Sequence, residues 1–317
     1  NGNQLRCRVL GEGGNLGFTQ LGRIEFCANG GKSNTDFIDN AGGVDCSDHE
    51  VNIKILLNEV VANGDMTVKQ RNALLREMTD EVGDLVLQNN YKQAQAISIA
   101  HSHARRAMDE YIRLINRLEA SGKLDRELEF MPSDEQLQER KQAQQGLTRP
   151  ELSVLISYVK AELKEALSES WITDDVYLSH EAVSAFPQRL VNEFGTEISQ
   201  HRLRSEIIAT QIANGMINSM GITFADRLCQ ISGSGFGDVA AAFVIARDVF
   251  NIDELWRQIE ALDNQVDSAL QQQMMADVIR LIRRATQWFL RHRRPLDVAA
   301  TVEQFRSGVE ILRGQLS

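Results

Sequence analysis

Apolar residues recur every three or four positions along most of this chain, and the longest breaker-poor run of that pattern lies between Met66 and Ala120. Leu74, Leu75, Met78, Val82, Leu85 and Val86 begin it, and Tyr111, Leu114, Ile115 and Leu118 continue it. The spacing predicts two or three helices, broken near Asn89-Asn90 and ending at Ser121-Gly122. Downstream, Thr148-x-x-Glu151 reads as a capping box with Pro150 in the first turn, opening a helix that carries Leu152, Leu155, Ile156, Val159 and Leu163. Pro187 starts a short helix that Gly195 interrupts, and a longer one runs from Glu197 to Met220 with Leu203, Ile207, Ile208, Ile212 and Met216 inward and Gly221 as its stop. The sharp loop Gly233-Ser-Gly-Phe-Gly237 precedes a helix from Val239 to Phe250, and Asp253 is placed to cap the segment holding Trp256 and Ile259. In the last long helix Leu270, Met274, Val278, Leu281, Ala285 and Phe289 form a stripe expected to be buried, and a final helix starts near Asp297.

The first residues are patterned differently. Cys7-Arg8-Val9-Leu10 and Thr35-Asp-Phe-Ile38 read as short strands, and each precedes a glycine-interrupted polar loop, Gly11–Gly17 and Asn40–Ser47. A short helix from Thr19 to Ala28 ends at Asn29-Gly30-Gly31. Ser47-x-x-Glu50 reads as a capping box for a helix with Val51, Ile53, Leu56, Leu57 and Val60, which Asn63-Gly64 ends. The order is strand, loop, helix, twice. Ligands bind at the carboxyl ends of strands in open α/β sheets, so these two loops are the candidate site.

Composition narrows the class. The 317 residues are 43% hydrophobic with 6% aromatics and only 4 prolines, which favours a mainly helical protein with few strands. A net charge of −10 argues against a nucleic-acid or anionic-membrane partner, because such binding needs a basic face. No apolar run approaches the roughly 20 residues that span a bilayer and no secretory pattern is present, so a cytoplasmic location is expected. Cys7, Cys27, Cys46 and Cys229 form no C-x-x-C pair and are expected to be free thiols. The chain opens Asn1-Gly2-Asn3 without an initiator Met and is expected to be a piece of something longer. Lys123 to Gln145, charged and rich in glutamine around Pro132, suits a linker or exposed excursion.

Several constellations invite chemistry. Gly11, Gly13, Gly14 and Gly17 fall short of a dinucleotide fingerprint, since position 16 is Leu16; a tight turn with positive φ angles is the other reading. Asp45, Asp48, His49 and Glu50 offer hard metal ligands, but acidic residues in a first helical turn are explained by capping, and no metal is expected. That helix N-terminus also suits a substrate carboxylate, with Ser47 as an extra donor. His101 and His103 fall on different faces, and His201 among Arg202 and Arg204 reads as a solvated surface residue. Arg280, Arg283, Arg284, Arg291, Arg293 and Arg294 concentrate positive charge along and beyond the last long helix, where they complement its dipole or an acidic neighbouring surface.

The motifs themselves resemble a family. Gly11-Glu-Gly-Gly-Asn-Leu-Gly-Phe-Thr19 is similar to the E-G-A-N-G-P-T-T segment of glutamate dehydrogenases, and Asn40-Ala-Gly-Gly-Val44 is identical to their N-A-G-G-V. With Thr35-Asp-Phe-Ile-Asp39 and Asp45-Cys-Ser-Asp-His-Glu-Val-Asn-Ile-Lys-Ile-Leu-Leu57 the closest likeness is to the large NAD-specific bacterial enzymes; Thr148-Arg-Pro-Glu-Leu152 and His201-Arg-Leu-Arg-Ser-Glu-Ile-Ile-Ala-Thr-Gln211 resemble later stretches of them. The resemblance implies oxidative deamination of L-glutamate to 2-oxoglutarate and ammonia with NAD as cofactor. It implies that residues 1–64 are the C-terminal portion of a Rossmann-like NAD-binding domain, followed by a helical region with a charged linker (65–146) and a helical C-terminal domain (147–317). It assigns Asn15, Gly14 and Asn40 to the cofactor and Val44 and Ser47 to the glutamate pocket. One departure stands out: smaller members have an aromatic pair where this chain has Asp48-His49. The family's catalytic lysine and aspartate match nothing here and are expected upstream, so the chain is expected to be inactive alone. The rest of the same polypeptide and a homo-oligomer are the implied partners. A helical assembly or regulatory module is the competing expectation.

Overall fold

The computed structural model describes residues 1–316, most of them in helices. They fall into two compact units, Asn1–Glu162 with His180–Ile207, and Leu163–Ser179 with the chain from Ile208 onward.

The first unit contains α1 (Gln20–Ala28), α2 (Asp36–Asp39), α3 (Ala41–Ala62), α4 (Val68–Glu77), α5 (Thr79–His103), α6 (Met108–Ala120), α7 (Asp134–Gln142), most of α8 (Arg149–Ser168) and α9 (Gln188–Ser199). Its core is the set of positions that the 3.6-residue period brings to one side. Ile53, Leu56, Leu57 and Val60 of α3 are buried, as are Tyr111, Leu114, Ile115 and Leu118 of α6 and Leu152, Leu155, Ile156 and Val159 of α8. Each such aliphatic side chain stabilises the fold by about 1.5–3 kcal/mol. Glycines at φ +89 (Gly30), +87 (Gly64) and +69 (Gly122) stand just beyond α1, α3 and α6, where the pattern places the stops. At the start of α8 Glu151 accepts from both the Thr148 N–H and hydroxyl at 2.7 Å, as the capping signature predicts.

Three expectations change. α5 runs through Asn89-Asn90 without a break, because both amides are satisfied without opening the helix: Asn89 donates to Asp45 (2.9 Å) and Asn90 to the Val86 carbonyl (2.9 Å). The charged stretch 123–145 is not a bare linker. A Ser133–Gln136 capping box opens α7 within it, Leu137 is fully buried, and Arg140 donates to Glu151 at 2.8 Å. The segment 35–38 is no strand: Asp36–Asp39 is the single helical turn α2.

The second unit holds most of α10 (Arg204–Met220), α11 (Phe224–Ser232), α12 (Phe236–Val249), α13 (Ile252–Glu260), α14 (Ser268–His292) and α15 (Val298–Leu316). The predicted Glu197–Met220 helix is thus two, parted at 200–203. α12 is buried on every side from Val239 to Ala246, as expected of an apolar helix surrounded by α11, α13, α14 and α15. The predicted stripe of α14 is displaced: Leu270, Met274 and Leu281 are exposed, while Met275, Ile282, Thr286 and Phe289 are buried. α14 carries apolar residues on two adjoining faces, and its packing on α12 selects one.

The mainly helical class is borne out. Among the described residues there is no β-strand, and the predicted strand 7–10 is reduced to one parallel bridge between Val9 and Lys32.

Candidate functional site

The loop 11–18 is built on buried charge. Glu12 turns inward and its carboxylate is held by Arg23 of α1 through two bonds, Nε to Oε2 at 2.5 Å and Nη2 to Oε1 at 2.9 Å. The side chains of Arg23 and Glu12 are 5% and 4% exposed, so the pair is shielded from water. Arg23 also lies 3.3 Å from Asp36 of α2. Burial pulls the guanidinium down, and the hydrogen bond and charge of Glu12, with Asp36 and Asp39 beyond, more than reverse it, so Arg23 titrates above its usual value. The same carboxylates grip the loop backbone: Phe18 N–H donates to Glu12 (3.0 Å), Leu16 N–H to Asp36 (2.8 Å) and Glu12 N–H to Asp39 (3.1 Å).

The turn expected at a glycine is made by another residue. None of Gly11, Gly13, Gly14 or Gly17 has positive φ, whereas Leu16 has φ 58. A non-glycine residue there is strained by about 1–2 kcal/mol, and the bond from Leu16 N–H to Asp36 holds it. A Cβ at Gly13 or Gly14 would meet nothing within 4 Å, so the backbone there is open to a ligand.

Asp36 makes this arrangement sensitive to acid. Burial raises its carboxyl, yet the Leu16 N–H bond and the charge of Arg23 leave it below the usual carboxylate range. A carboxyl depressed on folding stabilises the folded state above its unfolded value of about 3.9, and that contribution is lost as pH falls through the folded value. Asp36→Asn is therefore expected to lower the urea midpoint at about pH 6, with the gap to the parent narrowing towards pH 3. A gap that stays constant between the two pH values would contradict the linkage.

Above this base lie the amides. Asn40 occupies the N-cap position of α3 without a side-chain capping bond, and its Nδ2 donates to Asn15 Oδ1. Asn15 Nδ2 and Asn40 Oδ1 are left over, one donor and one acceptor, without a partner among the described residues. Val44 and Ser47 stand four and seven residues beyond Asn40, on the same face of α3. Val44 is 68% exposed, and the Ser47 hydroxyl donates to the Gly43 carbonyl at 3.2 Å. Gly42 turns the other way, and a Cβ there would meet Asn90 at 3.3 Å. Asn15, Gly14, Asn40, Val44 and Ser47 thus all reach solvent.

Ser47 does not stand at a helix N-terminus. α3 begins at Ala41, because Ala41-Gly42-Gly43 are helical, so Ser47 lies in the second turn and the Ser47–Glu50 capping box does not form. Glu50 pairs instead with Lys54 at 2.8 Å. His49 is buried, with Nδ1 3.0 Å from the Ala185 carbonyl, and Asp48 is exposed. His201 is likewise buried rather than solvated: its Nδ1 accepts from Leu203 N–H (3.0 Å), which makes Nε2 the donor to the Asn52 carbonyl of α3 (3.1 Å). The four cysteines are free, as expected. Sequence reasoning missed Glu12, Arg23, Asp36 and Asp39 as the loop's foundation; Glu12 stands inside the glycine motif, but Arg23 carries no signal in an amphipathic helix.

Residues 144–317 match the family described as "Glutamate dehydrogenase, C-terminal". The chain belongs to this family. Residues 1–100, which include both candidate loops, match the family described as "Bacterial NAD-glutamate dehydrogenase, catalytic domain". Among relatives of the glutamate dehydrogenase family, the NAD-specific glutamate dehydrogenase of Pseudomonas aeruginosa is 60% identical over 306 residues, covering 96% of this chain and 19% of that protein. The protein of the same name from Halomonas elongata is 53% identical over 305 residues, with the same coverage of 96% and 19%. That from Mycobacterium tuberculosis is 39% identical over 318 residues, 100% of this chain and 20% of the relative. The chain thus spans about a fifth of the length of the curated relatives it matches.

Proposed function

We propose that this chain works within an NAD-dependent glutamate dehydrogenase, which converts L-glutamate, NAD and water to 2-oxoglutarate, ammonia and NADH, and that it supplies part of the nicotinamide and glutamate site. The observation that carries the reading is the Asn15–Asn40 pair, whose free Nδ2 and Oδ1 complement the carbonyl and amino group of a carboxamide. NAD, when bound, supplies the hydride acceptor. Asn15 and Asn40 orient its nicotinamide, and Gly14 lets the backbone approach. Val44 offers an apolar contact to the methylenes of glutamate. Ser47 turns its hydroxyl from the Gly43 carbonyl to the substrate carboxylate, and the neighbouring Asp48 is displaced by about 100° around the helix.

Residues 1–64 fit the closing portion of a Rossmann-like domain. Parallel pairing needs a crossover, and α1 lies between the paired residues Val9 and Lys32, in the manner of a βαβ unit. Residues 65–146 and 147–317 are proposed as a helical region and a helical C-terminal domain. No motif for the acid–base groups or phosphate cradle stands in this chain, so it is proposed not to turn over alone; the rest of the polypeptide, in a cytoplasmic homo-oligomer, completes the site.

In a full-length enzyme carrying this chain, Asn40→Ala should lower kcat/KM at least about tenfold, equivalent to about 1.4 kcal/mol of lost transition-state stabilisation. Unchanged kinetics with an altered subunit assembly would favour a purely structural role for this region.

A further inference from the structure

The apolar stripe that the periodicity of α14 predicts is left uncovered by the second unit. Leu270, Met274, Leu281 and Trp288 are 53%, 39%, 41% and 42% exposed, while α14 packs on α12 with Met275, Ile282 and Phe289 buried. The four exposed side chains follow one another at steps of four, seven and seven, on one line of the helix about 27 Å long. Asp277, Arg284 and Arg291 continue from Leu270 at steps of seven, and all three are exposed on the same line. Apolar side chains aligned in this way along a helix are a surface that a partner covers.

Charge selects the partner. Residues 253–277 carry six acids and one arginine, whereas residues 278–294 carry six arginines and no acid. α14 is therefore acidic at its start, where the exposed Asp267 caps it, and basic at its end. We propose that the exposed face of α14 is an interface with a second copy of this chain, the two helices packing antiparallel about a two-fold axis at Leu281. Side by side in the same direction, two copies would set arginines against arginines. Turned antiparallel, each sets its basic end against the acidic end of the other, and their dipoles oppose. Residues equally far before and after Leu281 then face one another. Met274 meets Trp288 of the second copy, each seven positions from the axis. Asp277, four before, comes beside Arg284, three after, and Leu270 lies against the aliphatic stem of Arg291. Neither Arg284 nor Arg291 has an ion pair among the described residues, and the 2.9 Å bond of Asp277 to Arg280 joins two exposed side chains and is readily exchanged. An unrelated partner would need an apolar line flanked by both signs of charge in the reverse order; α14 already is one. The inference stands apart from the dehydrogenase reading.

The test is sedimentation equilibrium of the 317-residue chain across about 1–100 μM. The expected result is a monomer–dimer equilibrium with a Kd of about 10 μM or tighter, weakened at least about tenfold in Leu281→Glu, which sets two carboxylates against each other at the axis. Arg284→Asp should weaken the dimer by a smaller factor, and adding Asp277→Arg should restore it, a recovery that only a self-matching contact gives. Leu87→Glu, on an exposed position of α5 in the first unit, should leave the dimer unchanged. Leu281 is exposed, so its replacement should keep the parent's unfolding midpoint; if it does not, the charge swap decides the matter. A monomer throughout the range would overturn the proposal and give the face to another part of the longer polypeptide. A dimer indifferent to Leu281→Glu in a folded variant, or one that the charge swap does not recover, would overturn it as well.

Discussion

Replacing Arg23 with methionine is expected to destabilise the first unit by about 3–5 kcal/mol, the range observed when one partner of a buried ion pair is removed. The size follows from what is left behind. Glu12, with a side chain 4% exposed, and Asp36, at 12%, would remain in the interior with no cation between them. The lost contact matters less than the uncompensated charge, so adding Glu12→Gln to Arg23→Met should recover part of the stability while keeping an acceptor for Phe18 N–H. Urea unfolding of the two variants at neutral pH reads both effects. A loss below about 1 kcal/mol in the single variant, as for an exposed pair, would mean that water reaches Glu12 after all. In a full-length enzyme the same substitution should lower kcat/KM, because the loop that presents Asn15 is anchored through Glu12 and Asp36.

Phe243→Ala is the second large effect, at about 3–5 kcal/mol on the second unit. Phe243 is 1% exposed in the middle of α12 and meets Phe224 edge to face, with centroids 6.1 Å apart. Flanking alanines 240, 241, 242 and 246 are also buried, and α12 is enclosed by α11, α13, α14 and α15, so little can collapse into the space left. Hydrogen exchange of the α12 amides should accelerate along with a lowered unfolding midpoint. A midpoint within about 1 kcal/mol of the parent would show that the surrounding helices close the cavity.

Helix identity was legible because it depends on local spacing and local stops. Gly30, Gly64, Gly122, Gly221 and Gly233 all adopt the left-handed conformation that ends a helix, and only glycine does so without strain. The inward face of an isolated stretch was legible too, as in Ile53, Leu56, Leu57 and Val60. Boundaries were less so. The helix with Val44 and Ser47 begins at Ala41 rather than after Ser47, since two consecutive glycines carry the local signature of a loop although their backbone is helical here. The two capping boxes of Thr67–Gln70 and Ser133–Gln136 stand in the sequence as T-x-x-Q and S-x-x-Q, the glutamine form of the same signature.

The helical class, most helix stops and the family follow from residues close together in the chain and are therefore written in it locally. The tertiary structure alone decided which of two apolar faces of α14 is covered, that His49 and His201 are interior groups, and that Glu12, Arg23 and Asp36 meet beneath the loop. It also brought Asn15 to Asn40 across 25 positions. The physical reason is common to these cases: a charged or polar residue has the same local signature whether it faces water or a buried partner, and only packing of distant segments sets its surroundings.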